Sequence, residues 1–318
     1  MGLLVVSPGL AATVQDLGRV GYREWGVPVG GAFDHGSAAL ANALLGNPLD
    51  CAVVELTLIG GAFEALAPLA LALAGAPMEA AIQGRDDRRR AWTLPSSFPL
   101  AEGERLILGG TPIGARTYLA VKGGWRTPLV LGSRSSEARL KPGDILPAKS
   151  GSTPVRRLAD GLAPAPQLNA DRPIRLIDGP DAPDEPDWDW EARSFRVGPK
   201  SDRMGLRLEG EAIALPSQPE RASMPVAPGA VQVAGGQLIL LGVACGTMGG
   251  YPHVAHVVSA DLDRVGQARP GDVLRFRRVG LDEARGLDRV RRALRAGRLR
   301  CLTAMATDGP ISTAHHPI

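Results

Sequence analysis

The feature that most limits what this chain can fold into is a series of short apolar runs, most three to six residues long, closed by Gly, Pro or Asp. They fall at residues 3–6, 69–73, 106–108, 118–121, 129–131, 174–177, 206–208, 231–234, 238–243, 254–258 and 273–276. Runs of that length bounded by turn residues read as β-strands of a barrel or sandwich. The 40 glycines and 27 prolines supply the turns, and with no Gly-X-Y period they exclude a collagen-like chain. A hydrophobic content of 44% is enough for a packed core and excludes wholesale disorder. Within residues 69–73, leucines alternate with alanines, so one face of that strand carries bulk and the other only methyl groups.

Two segments break the pattern. Residues 36–45 have helical spacing. Residues 281–299 place Ala284, Leu287, Val290 and Leu294 on one stripe, with arginines on the other faces. A short internal repeat also stands out: Pro142-Gly143-Asp144-Ile145-Leu146 returns as Pro270-Gly271-Asp272-Val273-Leu274. Pro-Gly-Asp is turn chemistry leading into a strand, so the repeat suggests two related β units that close on the same turn. The Ser/Pro/Ala/Gly-rich stretch 148–172 is the natural linker between them. The expected organisation is a β domain over 1–150, a second over 172–279, and a helix and tail over 280–318. The acidic stretch 178–191 reads as a solvated loop anchored by Trp188 and Trp190.

The net charge is only +3, but residues 277–300 hold nine arginines against three acids. The basic character is therefore local, and a globally basic nucleic-acid binder is not expected. Cys51, Cys245 and Cys301 are widely spaced, without a Cys-x-x-Cys or Cys/His cluster, so neither a zinc site nor a disulfide framework is indicated. His253 and His256 are three apart in a strand and should point to opposite faces, which argues against a metal site. The longest apolar stretch, 66–76, is interrupted by Pro68 and falls short of the ~20 residues a membrane helix needs. A cytoplasmic protein without membrane contact is the expectation.

Standard catalytic signatures are mostly missing. No Gly-x-Gly-x-x-Gly, Gly-x-Ser-x-Gly or His-Glu-x-x-His occurs, and Gly198-Pro199-Lys200-Ser201 lacks the upstream glycine of a phosphate loop. Four clusters of polar residues among glycines remain. The first spans 13–34 and holds Gln15, Asp16, Arg19 and Asp34. The second holds Asn42 and Glu55, polar residues inside apolar runs. The third holds Asp202 and Arg203. The fourth holds Thr247, Gly249, Gly250 and Tyr251. Buried polar groups need partners or a function, and glycine backbone can approach a ligand closely. Turn chemistry and internal ion pairs such as Asp202 with Arg203 are the plainer alternative for each cluster.

At these residues the chain resembles a known family. TVQDLGRVGYREWGVPVGGAFD, ANALLGNPLDCAVVELTLIGG, SDRMGLRLEG, PGAVQV and GGYPHVAHVVSADLDRVGQARPGD run in order from about Pro8 to Asp272. They are similar to the A/B family of biotin-dependent carboxyltransferase subunits. That family takes in the C subunit of 5-oxoprolinase, KipA proteins, allophanate hydrolase subunit 2 and half of the urea carboxylase carboxyltransferase domain. The resemblance implies a mainly β fold of two cyclophilin-like β-barrel domains, with a few short helices and a C-terminal helix. It implies partners, a KipI-like B component with a LamB/YcsF-like A component, and an ATP-dependent opening of 5-oxo-L-proline to L-glutamate. The alternatives it implies are a carboxyltransferase acting on a urea-type amide, or a non-catalytic KipA-like regulatory protein.

ATP would then bind at the level of the complex. Biotin would be carried by a partner, since no Met-Lys-Met tripeptide occurs. Under this reading glycine N–H groups with Arg19 or Arg203 would hold an oxyanion. Asp16, Asp34 or Glu55 would move protons if burial raises a pKa. Gln15, Asn42, Asp202, Arg203, Thr247, Gly249, Gly250 and Tyr251 would bind substrate, with no metal. The sequence departs from the family pattern in two places. The Asp and Gln that usually precede Gly-Gly-Tyr-Pro are Ala244 and Gly246, and the glycine-rich loop after Leu131-Gly132-Ser133-Arg134-Ser135 is shortened.

Overall fold

A computed structural model describes residues 1–158, 172–182, 189–215 and 222–305. Most of the 148–172 stretch, Trp188 and tail residues 306–318 lie outside these. The first half of the chain forms eleven strands: β1 (Gly2–Ser7), β2 (Ala11–Gln15), β3 (Val53–Thr57), β4 (Ala62–Ala65), β5 (Leu69–Gly75), β6 (Ala80–Gln83), β7 (Arg89–Trp92), β8 (Ser96–Leu100), β9 (Arg105–Leu108), β10 (Arg116–Val121) and β11 (Ile145–Pro147). They pair as a six-stranded sheet, β11-β1-β4-β9-β6-β7, and a five-stranded sheet, β2-β3-β10-β5-β8. One core fills the space between them, with Leu3, Leu56, Phe63, Leu71, Phe98, Leu119 and Trp125 fully enclosed.

The second half forms β12 (Ile174–Asp178), β13 (Ser194–Val197), β14 (Gly205–Glu209), β15 (Met224–Pro225), β16 (Ala230–Ala234), β17 (Gln237–Leu241), β18 (Met248–Gly249), β19 (His253–Val257) and β20 (Val273–Arg278). Seven of these close a barrel in the order β12-β19-β16-β17-β14-β13-β20, while β15 and β18 pair separately. Closure leaves no free sheet edge. Trp190 sits in the barrel core against Phe276 at 5.5 Å between ring centroids. Ten of the eleven apolar runs lie in strands. The exception is 129–131, whose three side chains are all exposed. There Leu131 and Gly132 both take left-handed backbone (φ 52 and 77), which reverses the chain before it can join a sheet.

The Pro-Gly-Asp repeat is one turn built twice. Gly143 and Gly271 take φ of 91 and 94. The following aspartates accept from Lys141 N–H at 2.7 Å and Arg269 N–H at 2.9 Å. Each turn then launches a strand, β11 and β20.

Helix α1 (His35–Leu44) lies on the outer face of the five-stranded sheet. The alternation in β5 makes this possible: Leu69, Leu71 and Leu73 fill the inter-sheet core, and Ala70, Ala72 and Ala74 form a shallow seat for the helix. A short helix, α2 (Leu262–Val265), follows the barrel strand β19. Helix α3 (Leu281–Met305) returns over α1, placing Leu299 and Leu302 in the same apolar cluster. Its inward stripe is not the apolar one expected from spacing. Val290 and Leu294 are exposed, and Arg291, Arg295 and Arg298 face the N-terminal end of α1, where Asp263 pairs with Arg291 at 3.1 Å. The buried Asp34 and partly buried Asp263 there draw in the guanidinium side and turn the weaker apolar side outward.

The two histidines of β19 also differ from expectation. Their rings stand 5.5 Å apart because β19 carries an extra residue opposite Val231 and Gln232, and this bulge breaks the alternation. Burial first, and then repulsion from His253, lowers His256 to about 4. No group of three metal-ligating side chains occurs among the described residues.

The alanine seat has a measurable consequence. Ala72→Leu overfills the contact with α1 and should cost about 1–3 kcal/mol. In a urea titration the midpoint should fall while the slope stays unchanged.

Candidate functional site

The two halves are joined by a buried charge network centred on Glu55. This residue sits in the middle of β3 at 1% exposure. Oε2 accepts the Phe33 N–H at 2.8 Å and the Tyr118 hydroxyl at 2.9 Å. Oε1 accepts Arg203, from the barrel loop before β14, and faces Arg116 Nε at 3.3 Å. Arg203 also donates to Gly31 O at 2.7 Å and makes a two-pronged contact with Glu137 at 2.8 and 3.0 Å. The Arg116 guanidinium lies 4.5 Å over the Phe33 ring. Burial works to raise the Glu55 carboxyl, but Arg203 and Arg116 outweigh it and hold Glu55 below the usual carboxylate range. Glu55 in turn pushes Arg203 upward against its own burial.

A second bridge uses Gln267, which follows α2. Its Oε1 accepts Ala115 N–H at 3.0 Å and Arg116 N–H at 2.9 Å, and its Nε2 donates to Asp34 at 2.7 Å. Asp34 caps α1, accepting the Ser37 N–H at 2.8 Å and its hydroxyl at 2.6 Å. The Asp34 N–H donates to the Tyr118 oxygen at 2.7 Å, so Asp34, Tyr118 and Glu55 form one chain of hydrogen bonds. Burial, with the nearby Asp263 charge, raises the Asp34 carboxyl from 3.8 to about 6. Burial with Glu55 and Asp34 nearby pushes the Tyr118 phenol well above its ordinary value.

Beside this network a groove of about 600 Å³ opens between the five-stranded sheet and the barrel, a size suited to a small molecule. Its walls include Thr13, Arg116, Glu137, Arg139, Ser201, Asp202, Arg203 and Ala244. Ala244, one of the two family departures, therefore faces the groove. Arg139 has no ion-pair partner among the described residues. The Ser201 hydroxyl oxygen accepts the Arg207 N–H at 3.0 Å, leaving its proton free to donate. Asp202 shapes its own turn by accepting Met204 N–H at 2.8 Å, and its other oxygen is uncommitted.

The structure separates the remaining sequence candidates from this groove. Asp16 accepts four hydrogen bonds, from Ser133 and Ser135 hydroxyls and from Arg134 and Gly18 N–H groups, at 2.6–2.8 Å. Burial works to raise it, but those bonds prevail and lower it, so it anchors the 133–135 loop as a carboxylate. Arg19 reaches across to Ser135 O in the same loop. Gln15 is fully buried and donates to Thr13 and Ser136 O, both at 2.9 Å. Asn42 binds Cys51 O at 2.8 Å and Asn47 at 3.1 Å, fastening the end of α1.

Thr247, Gly249, Gly250 and Tyr251 lie on the barrel's outer β15–β18 pairing, where Tyr251 is half exposed and its carbonyl accepts Gln232 at 3.1 Å. The sequence candidates do not include Arg116 or Tyr118, while Ser201 and Gln267 fall within the third and fourth polar clusters of the sequence without a role assigned to them. A signal existed for Arg116 and Tyr118, polar residues entering the apolar run 118–121, but none for the reach of Gln267 across the two halves.

Removing one partner of a buried ion pair strands the other. Glu55→Ala should cost about 3–5 kcal/mol in a denaturant titration. A double-mutant cycle with Arg203→Ala should recover part of that loss. Asp34 acts with the opposite pH sign. Its raised carboxyl binds a proton more tightly folded than unfolded, so its contribution declines as pH rises from about 4 to about 6. Across that window, stability measured by thermal unfolding should shift progressively in favour of Asp34→Asn over the parent protein.

Residues 25–278 match the family described as the carboxyltransferase domain, subdomain A and B. The chain is 33% identical to the C subunit of Escherichia coli 5-oxoprolinase over 89% of its own length and 93% of that protein. It is 30% identical to urea amidolyase of Lachancea kluyveri, covering 18% of that longer chain. Among solved structures it resembles TTHA0988 with a TM-score of 0.75 at 32% identity, covering 87% of this chain and about half (55%) of that one. It also resembles the K. lactis urea amidolyase with a TM-score of 0.82 at 26% identity, covering 93% of this chain and 20% of that one. With the matched region spanning most of its length and both halves folded as described, the chain belongs to the family of carboxyltransferase domains with subdomains A and B.

Proposed function

We propose that the protein is the C subunit of an ATP-dependent 5-oxoprolinase. It would work with a KipI-like B component and a LamB/YcsF-like A component to open 5-oxo-L-proline to L-glutamate. The observation that carries this reading is the 33% identity spread over 93% of the length of the Escherichia coli protein. The groove beside Glu55 supports it. Opening a lactam needs donors at the developing oxyanion and a group that moves a proton. Arg139 and the Ser201 hydroxyl are the uncommitted donors, and Asp202 is the uncommitted carboxylate. Glu55 and Arg203 are taken up by each other and by Phe33, Tyr118, Arg116, Gly31 and Glu137, and hold the groove's shape.

Alanine at position 244 leaves proton transfer to Asp202 or to a residue of a partner protein. ATP is a substrate of the assembled complex in this reading. The first-turn N–H groups of α1 at His35 and Ser37 already donate to Asp263 and Asp34, so that helix does not fit a phosphate. A urea-type carboxyltransferase is the second reading, favoured by the TM-score of 0.82 to K. lactis urea amidolyase. In it a partner would bring carboxybiotin. A KipA-like regulatory protein is the third, favoured by Ala244 and Gly246.

The test is glutamate release from 5-oxo-L-proline and ATP by this protein purified with its A and B components. Turnover should vanish when this chain is omitted, and Asp202→Asn should lower kcat by about 10²-fold or more. An assembled complex with no turnover overturns the reading in favour of another amide or a regulatory role.

A further inference from the structure

Strands β2, β3 and β10 run side by side in the five-stranded sheet, and the groove lies at one end of all three, lined by Ala11, Thr57 and Arg116. At their other end, about 17 Å away for strands of this length, a separate open cleft of about 700 Å³ is lined by Asp16, Ala52, Gly124 and Arg134. Nothing in the proposed reaction uses it, yet its walls are closely built.

One wall is the turn after β10. Gly123 and Gly124 take φ of 81 and 73, a conformation that favours glycine. The Gly123 N–H is fixed by Asn47 Oδ1 at 2.9 Å, and Asn47 is itself held by Asn42. The facing wall is the 131–135 loop. Asp16 spends three of its four hydrogen bonds on that loop, at Ser133, Arg134 and Ser135, and the fourth on Gly18 N–H. Leu131 is held at φ 52, where a leucine costs about 1–3 kcal/mol. A paired Val130–Ser133 bridge keeps it there, at 2.8 and 3.2 Å. Gly132, also left-handed, would meet nothing within 4 Å if it carried a methyl group, so the turn lies open to the surrounding space.

The charged lining of this cleft is two arginines, Arg126 and Arg134, and two aspartates, Asp16 and Asp50. Arg134 is half-buried and acts on the Cys51 thiol, partly offsetting the upward push of burial and Asp50. Arg126 stands exposed in the same lining. Neither guanidinium has an ion-pair partner among the described residues. Of the two acids, Asp16 keeps its charge but its oxygens are taken up by four N–H and O–H donors, so the two guanidinium groups are the donors left free to meet a ligand. Pro48, Ala52, Trp125 and Leu129 give apolar wall.

We propose that this cleft is a second ligand site, distinct from the groove beside Glu55, for a small molecule bearing a carboxylate or phosphoryl group. Arg134 grips the oxyanion, with Arg126 as the outer contact. The left-handed turns at 123–124 and 131–132 let the backbone stand back from the ligand, and Asn47 and Asp16 keep both turns in place before it arrives. The site stands whether or not the protein is a 5-oxoprolinase component.

The test uses the purified chain in a chloride-matched buffer, titrated separately with inorganic phosphate, pyrophosphate, acetate and L-glutamate by calorimetry. Cys51 supplies an internal reporter, because it lines the cleft and its alkylation rate can be followed by peptide mapping beside exposed Cys301. At least one oxyanion class should bind and slow Cys51 alkylation several-fold while leaving Cys301 unchanged. Arg134→Gln should weaken that binding at least tenfold, Arg126→Gln by less, and Arg134→Lys should keep part of it with an unchanged unfolding midpoint. Asp202→Asn, in the groove, should leave it unaltered. Binding by phosphate and pyrophosphate alone assigns a phosphoryl ligand; binding by acetate and glutamate alone assigns a carboxylate. The proposal is overturned if none of the four slows Cys51 alkylation beyond matched chloride. It is equally overturned if Arg134→Gln, still folded, binds as the parent does.

Discussion

A single carboxylate, Glu55, holds the molecule's two halves in register. It sits in the middle of a central strand, away from water, where an unpaired charge would be expensive. Its charge is met by Arg116 from the neighbouring strand and by Arg203 from the barrel. The barrel's Arg203 is therefore paired only by the first half, through Glu55 and Glu137, and Glu55 draws one of its two arginines from the barrel. Gln267 repeats the arrangement with neutral groups, donating to Asp34 and accepting from two N–H groups at the start of β10. A polar interface of this kind specifies one orientation, because a rotated barrel would strand Arg203 and Gln267 away from their partners.

The same principle explains the long basic helix. From spacing, its arginines belong on solvated outer faces. In the fold, three of them turn inward toward Asp34 and Asp263 at the head of α1. The helix joins the charge network through Arg291 and the core through Leu299 and Leu302.

The arrangement also places chemistry at both ends of one three-strand unit. At one end the barrel leans against the sheet and leaves a groove whose shape is set by the Glu55 network. At the other end no barrel covers the sheet, and the loops themselves, ordered by Asp16 and Asn47, form a cleft. Two residues that look catalytic by type, Asp16 and Glu55, serve as anchors. Both are held ionised by an abundance of donors, the reverse of what a proton-transfer group at neutral pH needs.

The mainly β character, about half of the twenty strands and the position of α1 were legible in the amino-acid order, because short apolar runs and turn residues act over a few neighbours. The leucine–alanine alternation of β5 marked one buried leucine face, while the burial of the alanine face under α1 was decided by the fold, and the Pro-Gly-Asp repeat marked two turns of the same geometry. The inward face of α3 was not legible, because a periodicity argument counts apolar residues and cannot see carboxylates waiting on another helix. The proximity of His253 and His256 escaped for a related reason: a bulge is decided by the partner strand. The exposed 129–131 run misled because apolar content alone does not distinguish a strand from a turn held left-handed. Sequence alone thus determined which segments extend, which coil and which family the chain resembles, all properties of local order. Tertiary structure alone decided which charged residues meet, since Glu55 and Arg203 lie 148 positions apart and only the folded core brings them into contact away from water.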